Sequence, residues 1–249
     1  MSRGLRVETA DGVHRWTLDR PERRNALDAA LVDALLAAAE SAAADPVCRV
    51  VLLDGTPPVF SQGSDVAAFA GADAAAITAH ESRWPALRDG MRGLDVPVLA
   101  KIRGGAFGGG LFLALFADYR IAEEHAVFTA PEVTLGWIPP GGIEELVEEI
   151  GTGPARQLVL TGERVNAPRA LDLGLVHRVV PEERLDAVVE QTIAYLAGLP
   201  PAAVASVKRY FRERARLGRT ARDELQLQEF AANLDGPEAA RSIDRFAAQ

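Results

Sequence analysis

The chain has 249 residues, 48% of them hydrophobic and 25% charged, the balance of a folded globular protein, which excludes wholesale disorder. Its net charge of −8 argues against bulk binding to nucleic acid, and its single cysteine, Cys48, excludes an internal disulfide framework and a cysteine-cluster metal site. No run approaches the roughly 18 uncharged apolar residues of a membrane-spanning helix, and no apolar leader stretch precedes the first strand pattern, so the expectation is a cytoplasmic protein without a membrane partner.

In chain order, a strand-like pattern starts within the first ten residues, and Val13 to Leu18 reads as a strand rich in β-formers. Asn25 is placed as the N-cap of a helix in which Leu27, Leu31 and Leu35 recur every fourth residue, with Asp28 in the first turn, where an acid suits the dipole. Arg49 to Leu53 reads as a buried strand, a short helix is expected over about 65–70, and Val96 to Ile102 reads as another strand with Pro97 near its start. Strands alternating with helices predict an α/β core. From about residue 139 helices dominate, over roughly 142–150, 154–160, 182–198, 201–217 and 220–234, with a short one after Pro237. One strand-like piece, Leu175 to Val180, interrupts them. A boundary near residue 195 divides a core, 1–195, from a helical region, 196–249, expected to pack on the core or on a neighbouring subunit.

Three stretches carry candidate chemistry. Gly104 to Gly110 holds five glycines in seven positions between a strand and a helix start. That pattern fits a backbone that must come very close to something, with free N–H groups of the helix start offered to negative charge. A tight turn with close helix–strand packing fits it equally well. It is neither a P-loop nor a dinucleotide fingerprint. Val59 to Val66 (V-F-S-Q-G-S-D-V) brings a second glycine between a strand and a helix. Two such turns sharing one anionic oxygen make an oxyanion hole, although an ordinary capped loop is the plainer reading of this stretch alone. In Phe128 to Gly142, Glu132 sits among apolar neighbours. Burial would raise its pKa and make it a proton carrier near neutral pH, the alternative being a solvent-facing glutamate at a turn.

Together, D-R-P-E-R-R-N-A-L at residues 19–27, F-S-Q-G-S-D at 60–65, G-G-A-F-G-G-G at 104–110 and P-E-V-T-L-G at 131–136 resemble the crotonase (enoyl-CoA hydratase/isomerase) superfamily in order and spacing, over about residues 5–235. The resemblance implies a crotonase-like ββα spiral core with a C-terminal helical trimerisation region, assembled as a homotrimer or a hexamer made of two trimers. It implies an enzyme that stabilises the enolate of an acyl-CoA thioester, with coenzyme A as part of the substrate and no separate cofactor. The N–H groups of Ser64 and Gly109 then hold the thioester oxygen, and because these are main-chain roles Ser64 can stand where alanine is usual. The Gln62 carbonyl faces adenine, Arg24 and Ala26 lie where the family contacts coenzyme A, and Gly63, Asp65, Val66 and Gly108 line the substrate.

Family hydratases use two glutamates, and here only the second position is acidic, as Glu132; the first holds Phe112. A phenylalanine neither holds water nor moves protons. A lone base in a dry pocket suits a proton shuttle from Cα to C4, so a Δ3,Δ2-enoyl-CoA isomerase with Glu132 as base and acid is the leading expectation. The alternatives are a hydratase working with Glu132 alone, a hydratase-lyase suggested by G-W-I-P-P-G at 136–141, a decarboxylase of the branch-forming polyketide type, and a non-catalytic acyl-CoA-binding relative. Trp137 either lines the acyl pocket or packs in the core. Relatives often end in a longer basic run that reaches a neighbour's coenzyme A; here the sequence ends Arg245-Phe246-Ala247-Ala248-Gln249, which leaves intersubunit coenzyme A contacts an open question.

Other residues carry less. The four histidines show no metal-ligand spacing, so no metal is expected, and Ser61 and Ser64 lack a nucleophile-elbow context. Ser206 to Arg222 carries seven lysines and arginines against Glu213. It reads as a solvated helix face or a site for coenzyme A phosphates rather than a nucleic-acid site.

Overall fold

The structure is a computed structural model that describes residues 4–234 together with Ala239. Strands β1 (Leu5–Ala10) and β2 (Val13–Leu18) form a hairpin whose turn residues, Asp11 and Gly12, both take positive φ, as the Asp-Gly pair favours. Then follow α1 (Ala29–Ala44), β3 (Val50–Gly55), α2 (Ala74–Glu81), α3 (Trp84–Arg92), β4 (Val98–Ile102), β5 (Gly105–Phe107) and α4 (Gly109–Leu115). After β6 (Tyr119–Glu123) and β7 (Val127–Thr129) come α5 (Ile143–Ile150), α6 (Thr152–Thr161), β8 (Val165–Asn166) and α7 (Ala167–Leu173). The chain continues through β9 (Arg178–Val180), α8 (Leu185–Ala197), α9 (Pro201–Glu213) and α10 (Arg219–Leu234).

The main sheet has the order β1-β2-β3-β4-β6-β9, parallel except for the β1–β2 hairpin, and a smaller sheet has the order β5-β7-β8. The apolar runs of β3 and β4 follow from burial on both faces. Val51, Leu53, Val98 and Ala100 join the large core with α1, α3 and α4, while Val50, Leu52 and Leu99 join a second core beneath Leu185, Val188, Val189 and Ile193 of α8. Beyond α8 burial changes: Lys208 is the buried residue of α9, and α10 has none among the described residues. No helix among the described residues is long and apolar enough to cross a membrane.

Several local expectations are corrected. Asn25 does not cap α1; Asp28 does, accepting from the Leu31 amide at 2.9 Å. Asn25 is buried at φ +55°, and its side chain is spent on the 56–59 loop, donating to the carbonyls of Thr56 and Val59 at 2.8 Å each. Leu27 lies outside the helix, in a bridge with Ser64. The helix expected at 65–70 is a 3-10 turn at Val66–Phe69, and the one expected over 201–217 leaves α-geometry at a 3-10 turn over Arg214–Arg216. The strand expected from Leu175 narrows to Arg178–Val180. Helices α2 and α3 and the short strands β5 to β8 were not expected. The helix after Pro237 lies, but for Ala239, outside the described residues, as does the segment in which a basic run was sought.

Candidate active site

The segment 60–65 is held on both sides by main-chain bonds. Leu27 N–H donates to the Gly63 carbonyl (2.8 Å) and Asp65 N–H to the Leu27 carbonyl (3.0 Å) on one side. On the other, Phe107 N–H donates to the Ser61 carbonyl (3.0 Å). This brings the two glycine turns into backbone contact. A Cβ on Gly63, where φ is +94°, would stand 2.6 Å from the Phe107 carbonyl oxygen and 3.1 Å from the Gly109 nitrogen; one on Gly109 would stand 3.3 Å from the Ser64 nitrogen. Among the described residues neither the Ser64 nor the Gly109 N–H has an acceptor. Two unsatisfied donors on adjacent turns make a site for one anionic oxygen. The remaining glycines answer to packing: a Cβ at Gly104, Gly105 or Gly110 would overlap Pro58, Val127 or Ser61.

Glu132 opens a 3-10 turn after β7 and is 7% exposed. Its Oε1 lies 2.9 Å from where a Gly108 Cβ would be, so the carboxyl rests one residue from the free Gly109 amide. Its Oε2 is buried with no hydrogen-bond partner. Burial pushes its pKa up to about 7, the negative charge of Glu81 adding to the rise. A carboxyl so placed exists in both protonation states near neutrality.

The other predicted residues fall into distinct places. Phe112 is buried on α4, and its ring lies so close to Gly142 that a Cβ there would overlap it. Arg24, exposed and left-handed, donates from Nε to the Gln62 side chain at 2.8 Å, while the Gln62 amide donates to the Arg24 carbonyl at 2.9 Å. Ala26 is buried beside them in sequence. Asp65 is buried and engaged by Arg23 (2.8 Å) and Arg20 (3.3 Å), so its carboxylate braces the loop. Val66 and Trp137 are each 43% exposed, so Trp137 is not a core residue; its amide donates to the Glu132 carbonyl.

Two neighbours escaped sequence reasoning. Trp84 opens α3, and its Cζ2 lies 2.8 Å from where a Gly109 Cβ would be. Glu81 ends α2 with its side chain 13% exposed, next to His80, which is buried. Pro85 in the first turn of α3 is the one local signal of this corner. The basic segment is a solvated face only in part: Arg214, Arg216 and Arg219 are exposed. Lys208 is buried and donates to Asp118 at 2.6 and 2.7 Å, and Arg209 pairs with Glu229 at 2.8 Å.

Comparison with known proteins agrees with this geometry. A family profile described as enoyl-CoA hydratase/isomerase matches residues 8–249. The 2,3-dehydroadipyl-CoA hydratase of Escherichia coli (strain K12) is 35% identical over 198 residues, covering 79% of this chain and 77% of that protein. A carnitinyl-CoA dehydratase of Salmonella typhi is 34% identical over 214 residues, covering 85% and 81%. Among solved structures, an enoyl-CoA hydratase from Mycobacterium smegmatis superposes with a TM-score of 0.94 at 28% identity, covering 98% of this chain and 96% of that one. One from Bacillus anthracis gives 0.93 at 28% identity, covering 99% and 96%. With the crotonase α/β fold and its helical C-terminal region in place, this chain belongs to the enoyl-CoA hydratase/isomerase family.

Proposed function

We propose that the protein adds water reversibly to a 2-enoyl-CoA thioester. The oxygen of water bonds to Cβ, the enolate oxygen is held by the N–H groups of Ser64 and Gly109, and Glu132 delivers its proton to Cα. The observation that carries the reading is Glu132 itself: buried, with one oxygen unpartnered, titrating near neutrality and one residue from the amide pair. A reversible reaction needs an acid that is also a base at working pH. The preference for hydration over double-bond shift is supported by relatives named as a hydratase and a dehydratase. Δ3,Δ2 isomerisation is the second reading, and the observation favouring it is the apolar Phe112 at the first acid's position.

In this reading the coenzyme A moiety runs along Arg24, Ala26 and Gln62, with Arg24 available to its phosphates, and the acyl group enters past Gly63, Gly108, Val66 and Trp137. The exposed apolar residues Val207, Phe211, Leu227, Phe230 and Leu234 of α9 and α10 support association with further copies of the chain, and the homotrimer or hexamer of two trimers implied by the family resemblance is the assembly that light scattering would test.

The test offers a 2-enoyl-CoA and a 3-enoyl-CoA separately to wild type and to Glu132→Gln, following the conjugated-thioester absorbance and 3-hydroxyacyl-CoA by mass. Hydration of the first substrate, reduced at least about a hundredfold in the variant, is expected. Conversion of the 3-enoyl substrate alone would replace hydration with isomerisation, and turnover of neither would overturn both.

A further inference from the structure

Hydration leaves one task without a residue. Glu132 supplies the Cα proton, but a second group must take the proton that the attacking water sheds, and Phe112 cannot. The helix that ends at Glu81 brings two titratable side chains inward. His80 is 8% exposed, lies edge-on to Phe69 with ring centroids 5.2 Å apart, and keeps a buried Nε2 with no hydrogen-bond partner. That Nε2 stands 3.6 Å from Oε1 of Glu81. Among the described residues Glu81 has no lysine or arginine partner, although its side chain is only 13% exposed. A carboxylate so enclosed without a cation costs stability, which a functional site can tolerate.

Place strengthens the case. Glu81, the last residue of α2, lies three residues before Trp84, the first of α3, whose ring covers Gly109. The corner between α2 and α3 is therefore seated on the amide pair, and Glu132 rests on the other side of the same glycine turn, beside Gly108. The charge of Glu81 is felt at Glu132 through this interior.

We propose, resting on the hydration reading, that Glu81 is the second carboxylate of the site, brought from α2 instead of from the helix that follows the glycine triplet. As the oxygen of water bonds to Cβ, the water's proton passes to Glu81 while the proton of Glu132 passes to Cα. The electron pair of the C=C bond moves into the enolate and back to form the Cα–H bond. Proton return from Glu81 to Glu132 through solvent completes the cycle, with one water consumed.

The experiment uses the full chain as wild type, Glu81→Gln and Glu81→Asp, with two readouts. One is kcat and KM for hydration of a 2-enoyl-CoA. The other is exchange of the Cα protons of a saturated acyl-CoA with deuterium from D2O, which needs only Glu132 and the amides. Glu81→Gln is expected to lose about a hundredfold or more in kcat for hydration while keeping KM and exchange, and Glu81→Asp to regain part of the loss. Hydration by Glu81→Gln at the wild-type rate overturns the proposal. So does equal loss of exchange and hydration, which would make Glu81 only a prop for Glu132. A wild-type protein that exchanges protons but hydrates nothing overturns the hydration reading itself, a different result from either.

Discussion

Replacing Glu132 by glutamine should make the protein more stable in alkali and leave it no more stable in acid. The carboxyl has an ordinary pKa of 4.5 when solvated and about 7 when folded, because burial penalises its charged form. Below pH 4.5 both folded and unfolded chains hold this proton, so the shift contributes nothing to stability. As pH rises from 4.5 to 7 the unfolded chain releases the proton while the folded chain retains it, and stability falls; above 7 the whole cost is present. A shift of that size corresponds to about 3 kcal/mol. Glutamine has the same shape and one buried polar group left unsatisfied, as the protonated acid has, so the pH-dependent part of the comparison isolates the charge. Urea unfolding of wild type and Glu132→Gln at equal protein concentration, at pH 5 and pH 8, measures it. The variant's advantage should grow by about 2–3 kcal/mol between the two conditions while its hydration rate stays depressed at both. A stability difference that is flat with pH would refute the buried, raised-pKa placement of this carboxyl, and with it the acid–base argument.

Other substitutions probe the surrounding geometry. Gly109→Ala would push a Cβ to 2.8 Å from the Trp84 ring and 3.3 Å from the Ser64 nitrogen, so a loss of about 10²–10³ in kcat is expected, with partial recovery when Trp84→Phe is added; steady-state kinetics decides. Gly142→Ala combines φ +88° with overlap of Phe112 at its Cβ, Cγ and ring, and denaturant unfolding should show a loss of about 2–4 kcal/mol that Phe112→Leu, which keeps Cβ and Cγ, does not remove. Asp65→Asn loosens Arg23 but leaves Arg20 its bonds to Asp28 (2.9 Å) and the Ala26 carbonyl (2.6 Å). A cost of about 1–2 kcal/mol and a weaker KM for acyl-CoA are therefore expected, from unfolding and kinetics together. Hydration should decline as pH rises above about 7, where Glu132 loses the proton it must give, and a pH–rate profile for kcat tests this.

Sequence reading reached the parts whose signal is local. The apolar runs of β3 and β4, the glycines at 63 and 108–110 and the apolar setting of Glu132 all announce their surroundings within a few residues. It failed where a side chain has two uses. Asn25 has the chemistry of a helix cap, yet its amide is taken by Thr56 and Val59, a demand visible only once distant loops meet. Strands β5, β7 and β8 have only two or three residues each, and their pairing depends on partners far along the chain. The seating of the α2–α3 corner against Gly109 is likewise tertiary. Nothing in the polar, alanine-rich stretch before Trp84 marks it as facing inward, so the single-carboxylate argument that favoured isomerisation rested on one position, Phe112, that a different element can answer.

Although Gly63 and the Asp65 carboxylate are needed where they stand, the Ser64 side chain makes no hydrogen bond among the described residues that holds segment 60–65, and its amide is a group that every residue type except proline supplies. On the proposed reading, a lineage drifting at position 64 would keep its grip on the thioester with any side chain but proline's, because the main-chain N–H is the group in use. Selection would then be free to reshape the walls proposed to meet the acyl tail, and new substrates could be explored without rebuilding the main-chain pair proposed to hold developing charge.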